Sequence, residues 1–272
     1  MQTIEDIILQ HSARGMTRLV PELPCDYCVA AAREIVSWPR GTVALLTGFD
    51  VGGAPETDGP TGTYVVAKAL IDLGFSPIVI SEHPTCAYFS ELGVKTCEVS
   101  PGCDAAFMGM LLDTLAPVGI VSIERCGRNS RGRYCNMRGI DITPRTSPVD
   151  ELVIQAAARG IPTVGVGDGG NEIGMGNVAG AIEQRLTLEP CAVRVNCLVI
   201  ATVSNWGAYG IVRAMDKCTG RALLPGFKHM DDFYRFIVER GSVDGTTGRR
   251  ELSVDGFGLD VERKIVEALL CA

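Results

Sequence analysis

The chain has 272 residues, 46% hydrophobic and 21% charged, which excludes a disordered protein and is enough for one large α/β domain or two small ones. Its formal net charge of -7 excludes the basic surface typical of nucleic-acid binding. No apolar run approaches the roughly 20 residues of a membrane span. Glu5 and Asp6 stand where a secretory signal would be basic. Eleven cysteines, an odd number, fit a reducing compartment. We therefore expect a cytoplasmic protein that binds neither nucleic acid nor membranes.

Hydrophobic periodicity indicates two helices at the start of the chain, followed by alternating strands and helices. The predicted helices at the two ends of the chain are 4–11, 25–38 and 260–270. Strands are predicted at 42–48, 77–81, 95–99, 118–123, 162–166 and 197–203. This alternation is typical of βαβ units and predicts an α/β fold with a mainly parallel sheet flanked by helices on both faces.

We expect one domain over 1–272, because no Pro-, Gly- or Ser-rich linker divides the chain. Within it we expect N-terminal helices over 1–40, the α/β core over 41–210 and C-terminal helices over 211–272. The Gly- and Thr-rich segment 241–248 is a possible lid loop, and its alternative is a plain surface loop.

The most informative segment is 167–176, Gly-Asp-Gly-Gly-Asn-Glu-Ile-Gly-Met-Gly, directly after the predicted strand 162–166. Open α/β sheets place ligands where such a turn leaves a strand. Glycines such as Gly169 and Gly170 let the backbone approach a bound molecule, while Asp168, Asn171 and Glu172 offer oxygen ligands for a hard cation or acceptors for an amine. Glu172 also stands where the third glycine of a dinucleotide fingerprint belongs, so we expect no nucleotide cofactor.

Three further strands also end in polar residues. After the first strand, Asp50, Glu56 and Asp58 share one loop, and three acids in a loop repel one another unless a cation or an amine offsets them. The helix predicted to begin at Thr61 and Gly62 offers free backbone N–H groups for a substrate carboxylate.

The strand 118–123 ends in Glu124 and Arg125, with Arg128 close behind, so a carboxylate and two guanidinium groups meet the acid loops at one sheet edge. The following stretch 131–139 either folds over the site or is a solvated loop. After the strand 197–203, Asn205 or Ser204 is placed to cap the next helix, and Trp206 beside small residues is suited to a pocket wall.

Taken together, these segments resemble the D-glutamate cyclase family. The resemblance is carried by residues 48–50 (Gly-Phe-Asp), 55–60 (Pro-Glu-Thr-Asp-Gly-Pro), 122–125 (Ser-Ile-Glu-Arg), 167–176 and 204–207 (Ser-Asn-Trp-Gly). It spans most of the chain, from about residue 14 to residue 206. The resemblance implies a lyase that cyclises D-glutamate to 5-oxo-D-proline with loss of water.

For that reaction we expect a divalent cation, Mg²⁺ or Mn²⁺, to polarise the γ-carboxylate that loses an oxygen. Its expected ligands are Glu56, Asp58, Asp168 and Glu172, with Asn171 beside them. Glu124 or Asp50 is the candidate base for the amine, and Arg125 or Arg128 is the candidate partner of the α-carboxylate.

Two other functions fit the same residues. The acids are also suited to a metal-dependent hydrolase or phosphatase that acts on a small metabolite. The third hypothesis is a sensor that binds an acidic amino acid without turning it over. In each case the expected partner is a small molecule, and the protein is a possible homo-oligomer. The residue types do not determine whether the site prefers a D- or an L-substrate.

Overall fold

A computed structural model describes residues 2–186 and 188–272, so Met1 and Thr187 of the predicted domain lie outside the described residues. The helices are Ile4–Ile8 (α1), Tyr27–Ser37 (α2), Pro60–Asp72 (α3), His83–Glu91 (α4), Ala105–Leu115 (α5), Asp150–Ala158 (α6), Ala179–Arg185 (α7), Ser204–Thr219 (α8), Phe227–Glu239 (α9) and Leu259–Cys271 (α10). The strands are Thr42–Leu46 (β1), Asp50–Val51 (β2), Ala54–Pro55 (β3), Ser76–Ser81 (β4), Lys95–Glu98 (β5), Gly119–Ile123 (β6), Thr163–Gly167 (β7), Cys197–Ile200 (β8), Ser253–Val254 (β9) and Phe257–Gly258 (β10).

Six strands form one parallel sheet in the order β5-β4-β1-β6-β7-β8, which confirms the predicted fold class. The chain leaves β1 toward β4 on one side and later continues from β6 toward β7 on the other. Right-handed crossovers in opposite directions place α3 and α6 on opposite faces of the sheet. The order therefore reverses between β1 and β6, and open sheets bind ligands outside the carboxyl ends of the strands at such a switch point.

The central strands are buried on both faces, as expected for a sheet covered by helices. Every residue of β6 and of β7 is buried, whereas β5 at the sheet edge is partly exposed. The helices α2 and α3 both pack against α8 over one face, and α5 packs against α6. None of the helices in the part of the chain that is described has both the length and the apolar character needed to cross a membrane.

Some predicted bounds were wrong, for local reasons. The first helix was predicted over 4–11 but ends at Ile8, and His11 has a left-handed φ of 60°, which a helix does not continue. The strand predicted over 197–203 ends at Ile200 because α8 begins at Ser204. The expected core boundary at 210 consequently falls inside α8.

A buried carboxyl group ties α10 to α8. Glu262 is fully buried and accepts hydrogen bonds from Trp206 Nε1, from the Tyr209 hydroxyl at 2.8 Å and from the Tyr234 hydroxyl at 2.9 Å. Burial raises the pKa of Glu262, and these donors partly offset that rise. Because Tyr234 lies on α9, the three helices that begin at Ser204, Phe227 and Leu259 meet at one acceptor.

We expect Glu262→Ala to lower the free energy of unfolding by ~3–5 kcal/mol, because three buried donors lose their acceptor. Urea denaturation measures this, with Glu267→Ala on the exposed face of the same helix as the control. The control should change stability by less than about 0.5 kcal/mol. Equal effects of the two substitutions would show that the buried hydrogen bonds contribute little.

Candidate active site

A cavity of about 280 Å³ opens at the carboxyl ends of the central strands. Its walls include predicted site residues from three strand ends, namely Asp50, Glu56, Glu124, Asp168, Gly169, Asn171 and Glu172. Asn136, Met137 and Arg138 from the stretch 131–139 also line it, and so does the segment 245–248 of the possible lid loop. The structure thus brings both loops to the site, together with Arg14 and Asp255, which sequence reasoning did not select.

Six carboxyl groups crowd around the floor of this cavity. They belong to Glu56, Asp58, Glu124, Asp168, Glu172 and Asp255, and their side chains are almost completely buried. Oxygens of Asp58, Glu124 and Asp168 all lie within 4.8 Å of one another. Burial, followed by repulsion between neighbouring acids, shifts the balance toward the protonated forms.

The pKa values reflect this crowding. Burial raises the pKa of Asp58 to about 8, and the neighbouring Asp255 adds to the rise. Burial also raises the pKa of Asp168 to about 8, although Arg14 opposes it. Burial is also the main reason that the pKa values of Glu56, Glu124 and Asp255 lie well above their usual range. Near neutral pH the cluster can therefore both hold and release protons.

Backbone N–H groups fix two of these carboxylates. Asp58 accepts from the N–H groups of Ser204 and Asn205, at 2.9 and 2.8 Å, in the first turn of α8. This arrangement places a negative charge at the positive end of the helix dipole. Glu172 accepts from the N–H groups of Gly169 and Gly170, at 2.9 and 2.7 Å, so the Gly-rich turn holds its own acid in place.

Glu124 is held in an unusual backbone conformation. Its φ is 45°, a value that residues other than glycine rarely adopt. Such strained backbone conformations are often found at functional sites. The Ser204 hydroxyl donates to Glu124 Oε2 at 2.5 Å. Gly59, with φ of 91°, passes so close that a Cβ there would lie 2.8 Å from Glu124 Cβ. The loop after β1 therefore requires glycine at residue 59 to reach the acid cluster.

Arg14 brings a positive charge to the cluster. Its Nη1 lies 2.7 Å from Asp168 Oδ1, and its Nη2 lies 2.5 Å from Asp255 Oδ1 and 3.3 Å from Thr246 Oγ1. Asp255, in the turn between β9 and β10, has a left-handed φ of 51°. In sequence, Asp255 followed by Gly256 has the composition of an ordinary turn, and Arg14 precedes the first strand, so neither carries a local signal of the site.

The two arginines proposed to hold the α-carboxylate have other partners. Arg125 Nη1 and Nη2 lie 2.5 and 2.6 Å from the two oxygens of Glu82, and this pair borders a separate cavity of about 90 Å³. Arg128 pairs with Asp150 at 2.7 Å and with Glu151 at 2.6 Å. The structure does not bring either guanidinium into the acid-lined cavity, because nearer acids engage both.

The start of α3 is also occupied. Asn205 Oδ1 accepts from the N–H groups of Gly59 and Gly62, at 2.9 and 2.6 Å, so the N–H of Gly62 is not free for a substrate carboxylate. Thr61 is fully buried, and helix α3 begins one residue earlier than predicted, at Pro60. The N–H of Gly62 is thus engaged by Asn205, and the expected role of this helix start in binding a carboxylate stays a prediction.

Two other predicted positions lie apart from the cavity or at its rim. Trp206 is fully buried and packs against Phe257 with ring centroids 5.4 Å apart, so it stabilises the helical face and does not line the cavity. Asp50 lines the cavity, and its Oδ2 lies 2.7 Å from Nε of the half-exposed Arg145.

The fold and the cavity define a parallel α/β protein with a carboxyl-rich small-molecule site. Residues 4–270 match the family described as D-glutamate cyclase-like, C-terminal, and the chain belongs to this family. Its curated relatives include the human protein D-glutamate cyclase, mitochondrial, which is 42% identical over 100 residues. That match covers 35% of this chain and only 16% of the human protein.

Among solved structures, the chain is similar to a variant of actinorhodin polyketide ketoreductase determined with NADPH. The similarity covers 85% of this chain and 89% of the other, with 13% sequence identity and a TM-score of 0.32. A likeness at this level carries no conclusion about ligands.

Stability should depend on pH through this cluster. The pKa of Asp168 is raised above its unfolded value to about 8, so its contribution is fully present below the unfolded value and is lost as pH rises toward and through 8. In EDTA-containing buffer we expect the free energy of unfolding to fall from pH 6 to pH 8. The fall should be shallower in Asp168→Asn by about 1 kcal/mol per pH unit. Parallel pH profiles of the two proteins would contradict the raised pKa.

Proposed function

We propose that this protein cyclises D-glutamate to 5-oxo-D-proline with release of water. The observation that carries the proposal is the cluster of buried carboxyl groups around Arg14 at the switch point of a chain that belongs to the D-glutamate cyclase-like family. The human relative supports the choice of substrate through its name, D-glutamate cyclase. A cavity of about 280 Å³ is large enough for a single small amino acid.

The reaction needs groups that exchange protons. A bond forms between the amine nitrogen and the carbon of the γ-carboxylate, and a bond between that carbon and one of its oxygens breaks. The ammonium loses two protons, and the departing oxygen leaves with both as water. A buried carboxyl group with a raised pKa is suited to this task when it is not itself the ligand of a cation, because it can accept a proton from the amine and deliver one to the oxygen.

Of the two candidate bases, Glu124 fits this role better than Asp50. Glu124 is buried within the cluster, its pKa is raised by burial and by Asp168, and the Ser204 hydroxyl orients its carboxyl group. Asp50 is held by Arg145 at the rim of the cavity. The tight turns around the cavity would also hold the substrate with its amine near its own γ-carboxylate.

The donor set also fits a divalent cation. Asp58 and Asp168 offer oxygens that lie within 4.8 Å of each other and of a Glu124 oxygen, and Asp168 Oδ2 is buried with no hydrogen-bond partner in the described residues. Oxygen ligands of this kind suit Mg²⁺ or Mn²⁺. A bound cation would stabilise negative charge on the oxygen that departs. Glu56, Asn171 and Glu172 line the same cavity, and their part in binding an ion stays a prediction.

Purified protein incubated with D-glutamate should form 5-oxoproline, measured by chromatography. L-glutamate serves as the stereochemical comparison, and each substrate is tested with Mn²⁺, with Mg²⁺ and with EDTA. Loss of product in EDTA, restored by either cation, would support the proposed metal. Formation of product that is unaffected by EDTA would support the cyclase activity and rule out a catalytic metal. No product from either substrate would contradict the proposal and favour the hydrolase or sensor readings.

Substitution at the two candidate bases should separate them. We expect Glu124→Gln to lower kcat by about 100-fold or more, because the amide cannot accept and return a proton. Asp50→Asn should change kcat by less than about threefold, since its carboxylate already pairs with an exposed arginine. Circular dichroism and thermal unfolding control for folding. The reverse order of effects would assign the base to Asp50.

A further inference from the structure

We propose that Arg14 binds the α-carboxylate of the substrate, and that this contact selects α-amino dicarboxylates over simple ω-amino acids. The inference rests on the proposed function and deepens it. The two arginines that the sequence suggested for this task are held by Glu82 and by Asp150, so the task needs another cation.

Charge makes such a contact necessary. The cavity is lined by carboxyl groups, and those that are ionised attract the substrate ammonium but repel its α-carboxylate. Among the described residues that line the cavity, the cationic side chains are those of Arg14 and Arg138. A substrate with two carboxylates and one ammonium therefore has two possible anchors for its second negative charge.

The position of Arg14 favours it as the anchor. Its side chain is 20% exposed, whereas Arg138 lies on an exposed loop at the rim. An ion pair away from bulk water is stronger than one at a solvated rim, provided that further hydrogen bonds hold both partners. Asp168 and Asp255 provide such bonds to Arg14 on Nη1 and Nη2.

Arg14 also has capacity for another acceptor. A guanidinium group has five N–H donors, and the contacts with Asp168, Asp255 and Thr246 use three of them. The described residues supply no acceptor for its Nε. A carboxylate in the cavity can therefore be bound without breaking the pairs that orient the side chain.

Arg14 lines the cavity and is followed by a tight turn at Gly15. Gly15 has φ of 83°, and a Cβ at this position would lie 2.6 Å from Leu186 Cδ2. The left-handed φ favours glycine at residue 15, where the chain turns before the short helix Met16–Arg18. The N-terminal segment thereby contributes a side chain to a site that is otherwise built from strand ends.

The test compares D-glutamate with 4-aminobutanoate, which has the same amine and γ-carboxylate but no α-carboxylate. The ratio of kcat/KM for the two compounds is measured in the wild type, Arg14→Lys, Arg14→Ala and Arg138→Ala. We expect Arg14→Ala to lower this ratio about 100-fold, because only D-glutamate loses a charged hydrogen bond. Arg14→Lys should give an intermediate loss, and Arg138→Ala should leave the ratio within about threefold.

A purely structural role for Arg14 would lower turnover of both compounds equally, and an unchanged ratio would overturn the proposal. A collapse of the ratio in Arg138→Ala alone would overturn it in favour of the rim arginine. If Arg14→Ala does not fold, Arg14→Lys decides the question, because it retains the positive charge opposite Asp168 and Asp255.

Binding measurements test the role of Arg14 independently of the proposed catalytic activity. Calorimetry compares 5-oxo-D-proline with 2-pyrrolidinone, its counterpart without the carboxylate. We expect Arg14→Lys to weaken binding of 5-oxo-D-proline about tenfold and to leave 2-pyrrolidinone unaffected. Binding of D-glutamate without formation of product would contradict the proposed cyclase activity. The calorimetric comparison would still test the role of Arg14 in that case. If the wild type binds neither D-glutamate nor 5-oxo-D-proline, both proposals fall.

Discussion

The crowding of buried carboxyl groups around one guanidinium is the constraint on which the rest of the site depends. Unpaired carboxylates in a water-poor environment are costly, so such a cluster persists only if protons, cations or hydrogen bonds offset the charge. The structure offers several of these at once. Arg14 pairs with Asp168 and Asp255, the first turn of α8 donates to Asp58, and the Gly-rich turn after β7 donates to Glu172.

The hydrogen bonds to Asp58 also connect the acid cluster to the C-terminal helices. Asp58 is bound by the helix that begins at Ser204, and that helix is tied through Trp206 and Tyr209 to Glu262 on α10. The C-terminal helices therefore position the acid cluster, although they contribute few of its walls. Stability and site geometry share one hydrogen-bond network, so a change at Glu262 is felt near Asp58.

Sequence reasoning succeeded where the signal is local. Glu124 and Asp168 directly follow strands with apolar sequences, Asp50 lies four residues beyond β1, and parallel strands bring their carboxyl ends to one edge. It failed where partners are distant along the chain. Nothing near Arg125 in the sequence shows that Glu82 will engage it, and nothing near Arg14 shows that it will cross to Asp168, because both pairings depend on how the segments pack.

The strand order is the one found in doubly wound dinucleotide-binding folds, yet the helix after β1 is used differently here. In those folds the N–H groups at the start of this helix receive a pyrophosphate. In this protein Asn205 takes the N–H groups of Gly59 and Gly62, and the carboxyl group of Asp58 lies beside them. A pyrophosphate would meet an occupied helix start and a repelling acid. The expectation that the chain uses no nucleotide was based on Glu172 in the segment 167–176, and the occupied start of α3 is a second, independent argument for it.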